Sequence, residues 1–208
     1  MPAPVDVFLS STCYDLADVR AELAKFLEQH SFLVRLSEDY ESHFYVNGRL
    51  DSIGSCLLNV EQADVVVSIL DRRYGPKLPQ PHDYAGKSAT HAELLHARKF
   101  SKPVFTFTRD QTLGEYQQVL AGQAAKLRWI DSGSSTDLSN LVKEQRDLAE
   151  AVVTGRSNWF DPFTSIVDLK PRVLKRLLNE FPGHVGAYVR NPDRIVRLYF
   201  EWRGNDEK

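Results

Sequence analysis

Apolar residues change their period repeatedly along the chain, and each change marks an element. Val5-Asp6-Val7-Phe8-Leu9 is a run of β-formers that ends in Ser10-Ser11-Thr12, where small polar residues suit a tight turn. Beyond it Leu16, Val19, Leu23, Phe26 and Leu27 recur at steps of three and four, while Asp15, Asp18, Arg20, Glu22 and Lys25 fall mostly between them. That spacing predicts an amphipathic helix of about four turns. Phe32 to Leu36 reads as a second strand, and residues 37–49, polar and aromatic without either period, read as a long loop. A second helix is predicted from Ser52 to Gln62, with Ile53, Leu57 and Val60 on one face. Asp64 to Asp71 follows as a nearly continuous β-branched run, the pattern of a strand covered on both faces in a parallel sheet.

Arg72 to Lys87 carries three prolines and two glycines and reads as a loop. A helix from about Thr90 to Phe100 and a fourth strand over Lys102 to Phe107 complete an alternation of strands and helices. The alternation predicts an α/β fold with a doubly wound, mainly parallel sheet. Past residue 110 the periodicity weakens. Helices are expected at about 112–126, 138–153 and 167–180, and Arg194 to Trp202 forms a last β-like run before a charged tail. The expected division is one α/β domain over residues 1–182, ending in a helical extension, followed by a β-like extension and tail at 183–208.

The 208 residues are 42% hydrophobic and 26% charged, with a formal charge of −2, which excludes a disordered or fibrous chain. That balance predicts neither a nucleic-acid footprint nor a polybasic membrane anchor. No apolar run approaches the ~20 residues of a membrane span, and the start, MPAPVDVFLSST, lacks the features of a signal peptide. Cys13 and Cys56 have no CxxC spacing, so neither a zinc ribbon nor a disulfide framework is expected. A reduced, cytoplasmic protein is the reading that follows.

Ligands of open α/β sheets bind beyond the carboxyl ends of the strands. Three segments converge there by element order alone: Ser10-Ser11-Thr12, Asp71 to Gly75, and the helix start from Ser88 to Glu93. Hydroxyls and N–H groups at the first segment suit a phosphate, although Thr12 to Asp15 also has the form of a capping box. No GxGxxG or GxxxxGK[ST] pattern occurs. Glu93 is open to two readings. With Thr90 it has the capping-box spacing, and its place in the first turn would also aim a carboxylate into the crevice. There it would meet ribose hydroxyls or a developing oxocarbenium charge. Asp71 and Asp83 are nearby acids, whereas Asp64 reads as a structural turn residue. His91 and His96 have no further ligand to complete a metal site. Cys13 could be a nucleophile at a helix N-terminus, but the inert thiol is the favoured reading, since no His and Asn partners are identifiable. Tyr40, Phe44, Tyr45 and Tyr74 offer rings for stacking on a base or for packing, and Trp129, Trp159 and Trp202 are expected to anchor the C-terminal third.

Three blocks together, VFLSSTCYDLADVRAEL at 7–23, ADVVVSILDRRYGP at 63–76 and SATHAELLHARKFSKPVF at 88–105, resemble the TIR-like domains of unknown function that often head bacterial STAND-type ATPases. These are considered relatives of TIR and nucleoside 2-deoxyribosyltransferase domains. The resemblance covers about half of the chain and implies a flavodoxin-like sheet ordered 2-1-3-4-5. It further implies an NAD-cleaving effector of defence or signalling, with NAD as substrate, no required cofactor and no metal. Glu93 matches the glutamate that both enzyme groups use, and Ser10 and Ser11 match the strand end that contacts nucleotide or sugar. Ser10, Ser11 and Arg73 would hold the diphosphate, a loop aromatic such as Tyr40 or Phe44 would cover the ring, and Thr12, Tyr74 and Ser88 are further expected binding residues. Implied partners are further copies of the chain or a separate STAND-type sensor. Two departures stand out: Thr90 and His91 replace the aromatic-cysteine pair common before the TIR glutamate, and the glycine-rich approach of the deoxyribosyltransferases is missing. A non-catalytic interaction or nucleotide-binding module and a deoxyribosyltransferase-like enzyme are the alternatives.

Overall fold

The computed structural model describes residues 4–39 and 41–183, so Tyr40 and the β-like run at 194–202 with Trp202 lie outside the described residues. Five strands, β1 (Asp6–Ser10), β2 (Leu33–Arg35), β3 (Val65–Leu70), β4 (Val104–Arg109) and β5 (Phe160–Phe163), form one parallel sheet ordered β2-β1-β3-β4-β5. The helices are α1 (Ala17–Gln29), α2 (Ser52–Gln62), α3 (Ala89–Lys99), α4 (Asp110–Leu120), α5 (Ser135–Gln145), α6 (Leu148–Thr154) and α7 (Ile166–Glu180). This is the flavodoxin-like order, with a helical C-terminal region.

Strand alternation decides which helix covers which face. Val7 and Leu9 of β1, Val65, Val67 and Ile69 of β3, and Phe107 of β4 pack with α1 and α7 through Leu23, Leu27, Val173 and Leu177. Phe8 and Val66 point the other way, onto Val60 of α2, Ala63 at its C-terminal end and Ala97 of α3. All six residues of β3 are buried, as its β-branched run requires. Each of its apolar side chains, Val65, Val66, Val67, Ile69 and Leu70, contributes about 1.5–3 kcal/mol relative to exposure. Among the described residues no helix is long and apolar enough to cross a membrane.

The departures have local causes. The helix expected to reach residue 126 stops at Leu120, because Gly122 takes a left-handed conformation (φ 70°) and ends it; a single 3-10 turn, Ala124–Lys126, follows. The helix expected over 138–153 is two helices. Asp147 accepts a 3.0 Å bond from the Glu150 N–H and so starts α6 afresh. β5 is only four residues long and contains Pro162, which a sheet tolerates at its edge. Trp129 packs against the cluster of Leu70, Tyr116 and Leu141, as expected of an anchor, but Trp159 is largely exposed.

Candidate functional site

The strand order reverses between β1 and β3, which leaves a crevice beyond their carboxyl ends. A cleft of about 910 Å³ opens there. The three converging segments meet in it through Ser11 and Thr12, through Arg73, Tyr74 and Gly75, and through Ser88, Thr90 and Glu93. A further wall, Asp131 with Gly133 and Ser134, comes from the segment before α5. It is strapped to the loop after β3. The Asp131 N–H donates to the Arg72 carbonyl and the Tyr74 N–H to Ser134 Oγ, both at 3.0 Å, and Arg73 Nε pairs with Asp131 at 3.0 Å.

Glu93 forms part of this cleft and is only 7% exposed. Its Oε2 accepts a 2.6 Å hydrogen bond from Ser10 Oγ. The Thr90–Glu93 capping box is not made. Ser88 caps α3 instead, its hydroxyl accepting from the His91 N–H at 3.3 Å, so the Glu93 carboxylate is not consumed by the helix end. Burial pushes Glu93 up to about 7. The Ser10 hydrogen bond, the Arg20 charge and the Cys56 thiol oppose that rise, and Glu38 adds to it. Such a group changes charge near neutrality, where acid–base and electrostatic catalysis operate.

The other expected ligand groups divide. Ser10 is buried and serves the cleft through Glu93; Ser11 Oγ accepts from Arg20 at 2.8 Å and donates to the Thr12 carbonyl at 3.4 Å. Both hydroxyls are thus engaged within the protein, Ser10 with Glu93 and Ser11 with Arg20, and Ser11 also lines the cleft. Thr12 Oγ1 donates to Asp15, but α1 begins only at Ala17, so that pair shapes the turn and caps nothing. Tyr74 walls the cleft, and its hydroxyl accepts from the Ser88 N–H at 3.3 Å and bonds His91 Nδ1 at 2.8 Å. Phe44 does not cover the cleft. It packs on the Phe8, Val60 and Val66 cluster because Asn59 clips the neighbouring Tyr45 backbone to α2 at 2.9 and 2.8 Å. The aromatic at the mouth is Tyr14, 88% exposed, with the Arg73 guanidinium 4.9 Å from its ring centroid.

Cys13 and Cys56 are free thiols on the cleft wall, and burial raises both, which is the wrong direction for a thiolate nucleophile. His91 and His96 are each held between a tyrosine and a glutamate: Tyr74 and Glu144 for His91, Tyr84 and Glu61 for His96. Among the described residues no group of His, Cys, Asp and Glu could hold a metal. Asp71 is taken up by Arg109 and Trp129, and Asp64 accepts from the Asp6 N–H at 2.9 Å, the structural role expected of it.

The residue that the pattern does not single out is Arg20, 2% exposed at the base of the cleft. Its signal is its position: it stands one helical turn from both Leu16 and Leu23, on the apolar face, where a charge is out of place. Ser88 invites a direct test of its structural role. Ser88→Ala is expected to cost about 1 kcal/mol in urea unfolding, the loss of one helix cap. A much larger loss would show that Ser88 holds more than α3.

Residues 6–177 match the family described as a domain of unknown function, DUF4062. The chain belongs to this family. No curated protein matches the chain. The matched stretch of this DUF4062 member spans β1 through most of α7, and so includes every cleft residue described above.

Proposed function

We propose that this DUF4062 domain is a TIR-like effector that cleaves the N-glycosidic bond of NAD and releases nicotinamide, in bacterial defence or signalling. The observation that carries the reading is Glu93: a carboxylate that caps nothing, held by Ser10 in a cleft at the strand ends, and poised to ionise near neutrality. As the bond from C1′ to the nicotinamide nitrogen breaks, its electron pair goes to that nitrogen and neutralises the cationic ring. Positive charge develops at C1′ and the ring oxygen, and a fixed carboxylate stabilises it. Water then adds to C1′ and loses a proton. The cationic ring of the bound substrate favours the ionised form of Glu93, so substrate helps to make its own catalyst.

Arg73 and Tyr14, stacked at the mouth, would meet the distal part of the nucleotide. Further copies of the chain, or a separate STAND-type sensor, would complete the active assembly. The test is nicotinamide release from NAD by concentrated purified protein, followed by chromatography. Saturable release supports the reading. Release of a free base from nucleosides, with NAD untouched, would replace it with a deoxyribosyltransferase-like reaction. No turnover on either substrate across the concentration range would favour a binding module.

A further inference from the structure

Taking a guanidinium out of water is costly unless its donors are met and its charge is opposed. Arg20 meets both conditions. Nη1 donates to the Leu9 carbonyl at 3.2 Å, the Ser11 carbonyl at 3.2 Å and Ser11 Oγ at 2.8 Å. Nε and Nη2 form a fork on Glu38, the second bond at 2.8 Å. Three of these contacts fix the carboxyl end of β1 on either side of Ser10, the residue that binds Glu93. A purely structural α1 would fill this apolar position with a leucine; here the Arg20 end of the pair is sealed and only Glu38, 35% exposed, reaches solvent.

We propose that Arg20 and Glu38 are a positioning pair for Glu93: Arg20 fixes the β1 end that aims Ser10 and supplies the positive field at the carboxylate, and Glu38 limits that field. The role rests on Glu93 being the reacting group. Among the described residues, the ionisable side chains that act most strongly on Glu93 are Arg20 from α1, Cys56 of α2 and Glu38 after β2, with Cys13 in the turn after β1 also coupled to it. Burial raises both thiols and keeps them neutral, so Arg20 and Glu38 are the charges that act.

The test is a carboxyl ¹³C NMR titration of glutamate-labelled protein, with Glu93→Gln used to identify the resonance. Arg20→Gln is expected to raise the Glu93 midpoint by about one unit, and Glu38→Gln to lower it by about half a unit or more. Opposite signs are the signature, because loosening one structural contact from either end would move the midpoint the same way. Unmoved midpoints, or shifts in one direction, overturn the proposal. If Arg20→Gln does not fold, Glu38→Gln decides alone: a lowered midpoint supports the pair, and an unmoved or raised one overturns it. The titration needs no substrate. Opposite shifts in a protein that releases no nicotinamide would remove the proposed reaction and leave the pair's control of the Glu93 charge standing.

Discussion

Glu93→Gln is expected to cut nicotinamide release by on the order of 10²- to 10³-fold, the effect of removing one preorganised charge from a developing oxocarbenium ion. The amide has the same shape and still accepts the Ser10 hydroxyl, so the cleft keeps its form and the loss falls on the chemical step. Stability should move the other way. The pKa of Glu93 is raised from 4.5 to about 7 on folding. Its contribution to stability is therefore fully present below about pH 4.5 and is lost as pH rises through about 7. A neutral glutamine escapes that loss, so above pH 7 the variant should be more stable than wild type by ~3 kcal/mol, and the slope between those pH values should flatten. A helix-capping glutamate would behave oppositely and lose stability on substitution. Urea midpoints for the two proteins at pH 5 and pH 8 separate the cases.

The same carboxylate sets the expected pH profile. Because the ionised form is the reactive one, kcat/KM should rise about tenfold per pH unit below 7 and level off above it. The corresponding limb in kcat should lie lower, since the bound cationic ring favours ionisation. A profile that falls through pH 7 would assign Glu93 the role of a proton donor and overturn the electrostatic reading.

The fold was legible where burial is complete and period is simple. The run from Val65 to Leu70 announces a central parallel strand, and Leu16, Leu23 and Leu27 announce the helix packed on it. Failures came where one residue overrides a weak period: Gly122 ending α4, Asp147 restarting a helix, and Pro162 in an edge strand whose four residues show no alternation. The cleft was legible as three converging segments because element order alone places strand ends together. Its fourth wall was not, since Asp131 and Ser134 are tied to Arg72, Arg73 and Tyr74 across about sixty positions of chain, and no local period marks such contacts. Nor could the pattern tell which polar groups are already engaged. Ser10 and Ser11 look alike in sequence, yet one serves Glu93 and the other Arg20.

Asp71→Ala is expected to cost about 3–4 kcal/mol and to lower Tm by roughly 10 °C. Asp71 looked like a crevice acid, but both of its oxygens are occupied in a nearly sealed position. Oδ2 accepts from Arg109 Nε and Oδ1 from Trp129 Nε1, each at 2.8 Å. Arg109 also donates to the Thr164 carbonyl at 2.8 Å, so one carboxylate joins the ends of β3 and β4, the chain after β5 and the segment that walls the cleft. Removing it strands a largely buried guanidinium and an indole N–H, and the unpaired charge dominates the loss. Two controls follow from that cause. Trp129→Phe, which keeps the ring and forfeits one hydrogen bond, should cost only ~1 kcal/mol. Arg109→Met added to Asp71→Ala should return part of the loss, because no charge is then left unpaired. Should Asp71→Ala unfold like wild type in urea yet lose nicotinamide release, Asp71 would be a reacting acid after all, and Glu93 would share its place in the chemistry.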